Sequence, residues 1–399
     1  MSPTNVISIS PRAASLKRRI RQHFAASGLA KEPECPLAVP GDCKSSVRRL
    51  HAGQRLERLE QSSAFLDRAL PKLIGWFANG DEIDPERISL RLIRVRSSSE
   101  QSDLFRLASM TWSVPVSQGF GRRLRYLVWD DYHDRLVGIF ALGDPVYNLA
   151  ARDDLIGWNV NDRASRLVNL LDAYVLGAVP PYNMLLAGKA VACLVRSRDV
   201  YRDFSRAYGQ TVGIISGAAK RARLLAVTTS SSMGRSSIYN RLKLDGIPYF
   251  QPVGYTIGWG HFHITDKLFA DMREYLRLIN HPYADQHQFG DGPNWRLRTI
   301  RVAISELGVN KAVLKHGIRR QVFLARFASN SLQILKNGRG RPDLSSLLPA
   351  EEISEACKAR WLVPRAGRMP GFRDWNRDAL VPLIYGAPDS EEAELAATG

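Results

Sequence analysis

Residues 125–142 read RYLVWDDYHDRLVGIFAL, two apolar, β-rich runs, Arg125 to Asp130 and Leu136 to Leu142, flanking the polar Asp131-Tyr132-His133-Asp134. Runs rich in Val, Ile, Tyr, Phe and Trp suit a pleated, half-buried surface, and a short polar insert between two of them has the composition of a hairpin turn. Two adjacent antiparallel strands are predicted. Leu142-Gly143-Asp144-Pro145 then ends the second, because proline cannot donate to a ladder and biases the residue before it towards an extended backbone.

Working outward, Ala173 to Leu176 reads as a further strand. It runs through Gly177 and Pro180-Pro181 into Tyr182-Asn183-Met184-Leu185-Leu186-Ala187-Gly188-Lys189 and a helix ending near Arg198. Asp199 to Tyr208 reads as a second helical piece and Thr211 to Ser216 as a returning strand. A helix that starts after a strand exposes backbone N–H groups and a positive dipole end, which suits phosphate or pyrophosphate. Gly188 would let such a ligand approach the backbone, and Lys189 would add a charge.

Strand, bent strand, helix and strand in that order resemble the core of the GNAT acyltransferase fold. The resemblance implies a GNAT-like central sheet and a turn, here Asn183, Gly188 and Lys189, holding the pyrophosphate of an acyl coenzyme A. The loop of that fold has the form Arg/Gln-x-x-Gly-x-Gly/Ala, whereas Gly188 is the one glycine between Met184 and Ala192. A single glycine at a strand-to-helix turn also fits steric packing alone, so both readings stand. GxxxxGK[ST] is absent, which excludes a P-loop. The expected fold class is mixed α/β (α+β) with flanking helical regions.

The chain has 399 residues, 45% of them hydrophobic, enough for two or three domains with a full core. No apolar run approaches the roughly 20 residues that span a bilayer, and the N-terminal stretch is not a secretion signal, so no membrane association is expected. Cys35, Cys43, Cys193 and Cys357 lack CxxC pairing and disulfide-scaffold density, which points to a reducing cytoplasm.

Net charge is +17, with a sequence pI near 10.0. Between Gly292 and Ser345 there are eleven Lys or Arg against two acids, Glu306 and Asp343. A concentrated positive field attracts polyanions, and nucleic acid is the expected partner; a solvated surface that keeps the protein soluble is the alternative. Leu297, Ile300, Ile304 and Leu307 recur at helical spacing with Arg298 away from that stripe. Asn310 is a candidate cap for a helix from Lys311 to His316. A longer helix from Ile318 to Leu335 would carry Arg319, Arg320 and Arg326 outward. Arg339-Gly340-Arg341-Pro342 has the core of an AT-hook, an extended segment that lays arginines along a narrow minor groove. Asp343, where a cation normally follows the proline, departs from that pattern, and a glycine-rich basic turn is the other reading.

In Gly254-Tyr255-Thr256-Ile257-Gly258-Trp259-Gly260-His261-Phe262-His263, alternate residues of a strand would put His261 and His263 on one face. Together they are a candidate acid and base, or the start of a metal site completed by Asp266 or His287, or histidines in ordinary hydrogen bonds. Neither third ligand has diagnostic spacing, and no metal is assigned. Asp144, Asp153, Asp154 and Asp172 could be assembled into a nuclease-like metal site, but nothing in their spacing requires it: Asp144 before Pro145 reads more simply as a turn residue and Asp153-Asp154 as a polar loop or helix start.

The expected organisation is a flexible basic N-terminus and helical region at 1–85, a mixed α/β core at 86–290, a basic helical region at 291–365, and a C-terminal segment with an acidic tail at 366–399. Four phrases follow one another inside it: LFRLASMTWSVPVSQGFGRRLRYLVWD (104–130), RLVGIFALGDPVYNLAARDDLIGW (135–158), LDAYVLGAVPPYNMLLAGKAVACL (171–194) and SRDVYRDFSRAYG (197–209). SSIYNRLKLDG, VGYTIGWGHFHITD and GDGPNWRLRTIRVAISELGV continue the series. In this order they resemble the bacterial family that includes protein A of the Druantia anti-phage defence system. The resemblance implies a part in phage defence beside other defence-system proteins, and discloses no chemistry.

Overall fold

A computed structural model describes residues 11–26, 44–117, 119–212, 219–285 and 293–386. Cys35, Cys43, His287, residues 213–216 of the strand expected after Tyr208, and the acidic tail from Pro388 lie outside them. The chain divides into two compact units, one of Met1–Glu60 with Ile257–Arg319, the other of Gln61–Thr256 with Arg320–Gly399.

The first unit is helical: Pro11–Ala26, Lys44–Glu60, Asp266–Leu278 and Pro293–Glu306. Each helix buries one stripe. Ala13, Leu16, Ile20 and Phe24 recur at intervals of three and four, as do Leu268, Phe269, Met272 and Leu276, and Ile300, Ala303, Ile304 and Leu307. Thr265 caps Asp266–Leu278 by accepting from the Leu268 N–H at 3.3 Å. Glu57 accepts from the Asp266 and Lys267 N–H groups at that same helix start, where the dipole favours an anion.

The second unit is built on a seven-stranded sheet. In chain order its strands are β1 (Leu90–Arg94), β2 (Arg123–Asp130), β3 (Arg135–Gly143), β4 (Leu170–Ala178), β5 (Ala226–Ser230), β6 (Gln251–Tyr255) and β7 (Gln321–Arg326). Their spatial order is β1-β2-β3-β4-β5-β7-β6. The hairpin expected at 125–142 is β2 and β3, with Asp134 in the turn at φ 55°. Asp130 closes it: its buried carboxylate accepts from the Ser89 N–H, His133 Nδ1–H and Tyr182 hydroxyl, so the charge is not left unsatisfied.

All neighbours pair antiparallel except β4 and β5, which run parallel over Leu170–Asp172 and Ala226–Thr228. Parallel strands need a long crossover. Helices Ala187–Val195 and Arg198–Tyr208 lie within it, the second capped by Ser197. One face of the sheet packs Leu171, Ala173, Val227, Phe323 and Ala325 against Ala187–Val195 and the helix Ala350–Cys357. The other packs Leu170, Ala226 and Leu324 against Ile156, Trp158, Ile334 and Leu335.

Two expectations change. Ile318 to Leu335 is not one helix but strand β7 followed by a short helix, Ser331–Asn337. Val322, Phe323, Leu324 and Ala325 are all buried, because β7 is an interior strand covered on both faces, and such a run has no periodicity to tell it from a helix. Secondly, the strand expected to carry His261 and His263 stops at Tyr255. Gly258, at φ 67°, bends the chain so tightly that a Cβ there would lie 2.9 Å from the Gly317 carbonyl carbon.

Candidate functional site

The turn expected to hold a cofactor forms as a single 3-10 turn, Tyr182–Leu185, then Leu186 at φ 64°, then the helix Ala187–Val195. That helix has no acid in its first turn and no side-chain cap. Gly188 is buried, and a Cβ on it would meet only Ile238 Cδ1, at 3.7 Å. The Asn183 side chain is buried. Lys189 is half-buried, its ammonium 5.3 Å from the centre of the Trp361 ring. Arg360 reaches the same ring at 5.7 Å, and Arg365 donates to the Met184 carbonyl at 3.2 Å. Burial first, and then Arg241, Arg360 and Arg365, hold Lys189 below the usual lysine range. Among the described residues no carboxylate pairs with any of these four cations.

Nothing local in the sequence marks Arg241, Arg360 and Arg365 as neighbours of Lys189. Arg360 and Arg365 come from some 170 positions away, after the helix Ala350–Cys357 that packs onto Ala187–Val195, and Arg241 from the turn Tyr239–Arg241, whose neighbour Ile238 reaches Gly188.

His261 and His263 lie in the first unit, in the turn before helix Asp266–Leu278. His263 is 3% exposed, and its Nε2 donates to the Val313 carbonyl at 3.0 Å. Its own carbonyl accepts from His23 Nε2 at 2.6 Å. Phe24, Phe262 and His316 pack around the ring. Burial pushes His263 down to about 4, and burial with the nearby Arg296 does the same to His261. Both are therefore neutral at neutral pH. Among the described residues no group of three or more His, Cys, Asp or Glu is placed to hold a metal ion.

The four candidate acids separate. Asp144 is paired with Arg122 at 2.6 Å, and Asp153 with the fully buried Arg152 and with Arg163. Asp154 carries no salt bridge among the described residues. Asp172 accepts from the Thr228 hydroxyl at 2.6 Å, and burial pushes its carboxyl up to about 6.

The basic segment is divided between the units. Arg298 is exposed on Pro293–Glu306, Arg301 is exposed 5.6 Å from the Trp259 ring centre, and Arg319 is exposed; all belong to the first unit. Arg320 opens the second unit's share and is half-buried. Arg339 and Arg341 are exposed, while the backbone between them is tied down. The Gly340 carbonyl accepts from Arg223 at 2.7 Å and the Arg341 carbonyl from Asn330 at 2.9 Å. Asp343, the residue that departs from the hook pattern, accepts from the Ser329 hydroxyl and the Ser345 N–H. Those bonds hold its carboxyl below the usual range.

Fold and charge define a two-unit protein, one unit helical and basic, the other a mixed α/β sheet. Residues 41–337 match the sequence model of the family described as Druantia protein DruA. The chain is also 55% identical over 382 residues, 96% of its length and 95% of the relative's, to the Druantia protein DruA of Escherichia coli (strain UMEA 4076-1). This chain belongs to the Druantia protein DruA family. No solved structure matches it.

Proposed function

We propose that this chain works in anti-phage defence by contacting nucleic acid in the cytoplasm, beside other proteins of the defence system. Family membership supports the defence role. The observation that carries the nucleic-acid contact is the charge of the first unit, whose sequence has twenty Lys or Arg against eleven Asp or Glu. Helix Pro11–Ala26 contains no acid and turns Arg12, Arg18 and Arg21 outward while burying its apolar stripe. Arg298 and Arg319 are outward in the same unit. Arginines presented on regular elements match the phosphate backbone and bind it with little regard to sequence. In the second unit, Arg339 and Arg341 project from an anchored loop around Gly340, a form suited to a groove.

The test is binding of duplex DNA and of RNA across a salt series. Replacing Arg12, Arg18 and Arg21 with Gln is expected to reduce the slope of log K against log salt by about 2 to 3, at about 0.9 per phosphate contact. No binding at low salt by the folded chain overturns the reading.

A second reading, a GNAT-like sheet serving an acyltransferase that uses acyl coenzyme A, has one observation in its favour. The parallel junction of β4 with β5 keeps a strand, helix and strand order, although the returning strand is Ala226–Ser230 and not Thr211 to Ser216, whose described residues pair antiparallel with Ala219–Arg221 in a separate small sheet. Helices of the described chain include none long and apolar enough to cross a membrane.

A further inference from the structure

We propose that Lys189, Arg241, Arg360 and Arg365 form a binding site for a pyrophosphate group carried by a small molecule, a nucleotide or a coenzyme. The four come from separate elements: the helix Ala187–Val195, the turn Tyr239–Arg241, the turn Lys358–Leu362 and the helix Val363–Arg368. The centre of the Trp361 ring is 5.3 Å from the Lys189 ammonium and 5.7 Å from the Arg360 guanidinium. Arg365 is fixed beside the same helix start by its bond to the Met184 carbonyl.

Gathering like charges without an acid opposes folding, and the opposition grows as the charges leave water. Elsewhere in this unit several such charges meet an acid, and buried Arg196 instead donates to the Arg326 and Ser346 carbonyls. Buried Arg152 has Asp153, Arg122 has Asp144, and the neighbouring Lys358 has Glu355. Here no described carboxylate does so, which leaves the compensation to an anion from outside.

Charge density selects the anion. Arg241 and Arg360 are exposed and Lys189 is half-buried. A duplex offers one charge per phosphate along an extended backbone. A diphosphate puts two or three charges within the reach of one ammonium, and guanidinium groups bind its oxygens through paired N–H donors.

Calorimetric titration of the full chain with inorganic pyrophosphate, ADP, coenzyme A, sulfate and a short duplex tests this. Pyrophosphate is expected to bind below about 1 mM and more tightly than sulfate. Displacement by ADP or by coenzyme A identifies the carrier. Exchanging the two exposed cations, Arg241→Gln with Arg360→Gln, is expected to weaken binding at least about tenfold with melting temperature unchanged. Lys189→Gln provides a second, independent loss. The proposal is overturned if a folded chain binds neither pyrophosphate, ADP nor coenzyme A, or if sulfate binds equally well. It also fails if neither carrier displaces pyrophosphate, or if the variants lose duplex binding alone.

Discussion

A buried histidine and a half-buried carboxyl give the two units opposite responses to pH. His263 and His261 titrate in the folded chain near 4, below the ordinary 6.5, so protons favour the unfolded state. Their contribution is complete above about 6.5 and is lost as pH falls from there through about 4. Melting of the first unit is expected to drop across that window. His263→Asn, which forfeits the ring's packing, is expected to lower stability by about 1 to 3 kcal/mol at pH 7 and to flatten the dependence below it. Asp172 behaves in reverse. Its carboxyl is raised to about 6 by burial, against the lowering by Thr228 and Arg152. Stability that is present below about 3.8 is therefore lost as pH rises through about 6. Asp172→Asn is expected to melt higher than the natural chain at pH 8 and level with it near pH 3.5. A lower melting point at pH 8 would show that the ionised carboxyl is needed for folding.

Strands and helices meet most closely where a glycine allows it, and the structure chooses a different glycine from the one the motif suggests. A Cβ on Gly138, in the interior strand β3, would lie 2.5 Å from the Gly177 carbonyl oxygen and 2.8 Å from Val191 Cγ2. Gly138→Ala is expected to cost about 1 to 3 kcal/mol through overpacking. Gly188→Ala adds only an ordinary contact and a better helix former, worth up to about 1 kcal/mol, and is expected to hold or raise the melting temperature. Thermal melts of the two variants separate the positions. Equal losses would mean that Gly188 also supports a close approach.

For the whole molecule, the charge that the sequence concentrates between Gly292 and Ser345 is divided between the two units. Arg319 is exposed and Arg320 half-buried with its guanidinium pushed down by burial, so the adjacent pair should not behave alike. Arg319→Ala is expected to reduce the salt slope by about 0.9, while Arg320→Ala acts mainly on stability. Replacing Arg339 and Arg341 is expected to weaken binding most on A·T-rich duplex, whose narrow minor groove focuses potential on inserted arginines. Equal weakening on A·T-rich and G·C-rich duplexes would reduce the segment to a basic turn.

The sequence by itself determined the hairpin of β2 and β3, the strand-to-helix passage through Pro180-Pro181, the helix Pro293–Glu306, the mixed α/β class and the family. Each rests on local signals: β-rich runs around a polar turn, apolar residues at helical spacing, and ordered phrases. Tertiary structure alone decided β7, because a strand buried on both faces writes no alternation into its residues. It also placed Phe24, Phe262, His23 and His316 around His263, a neighbourhood drawn from three distant segments. The same holds for the cations around Lys189. Which charges share a site depends on how elements pack in three dimensions, and no local spacing encodes it.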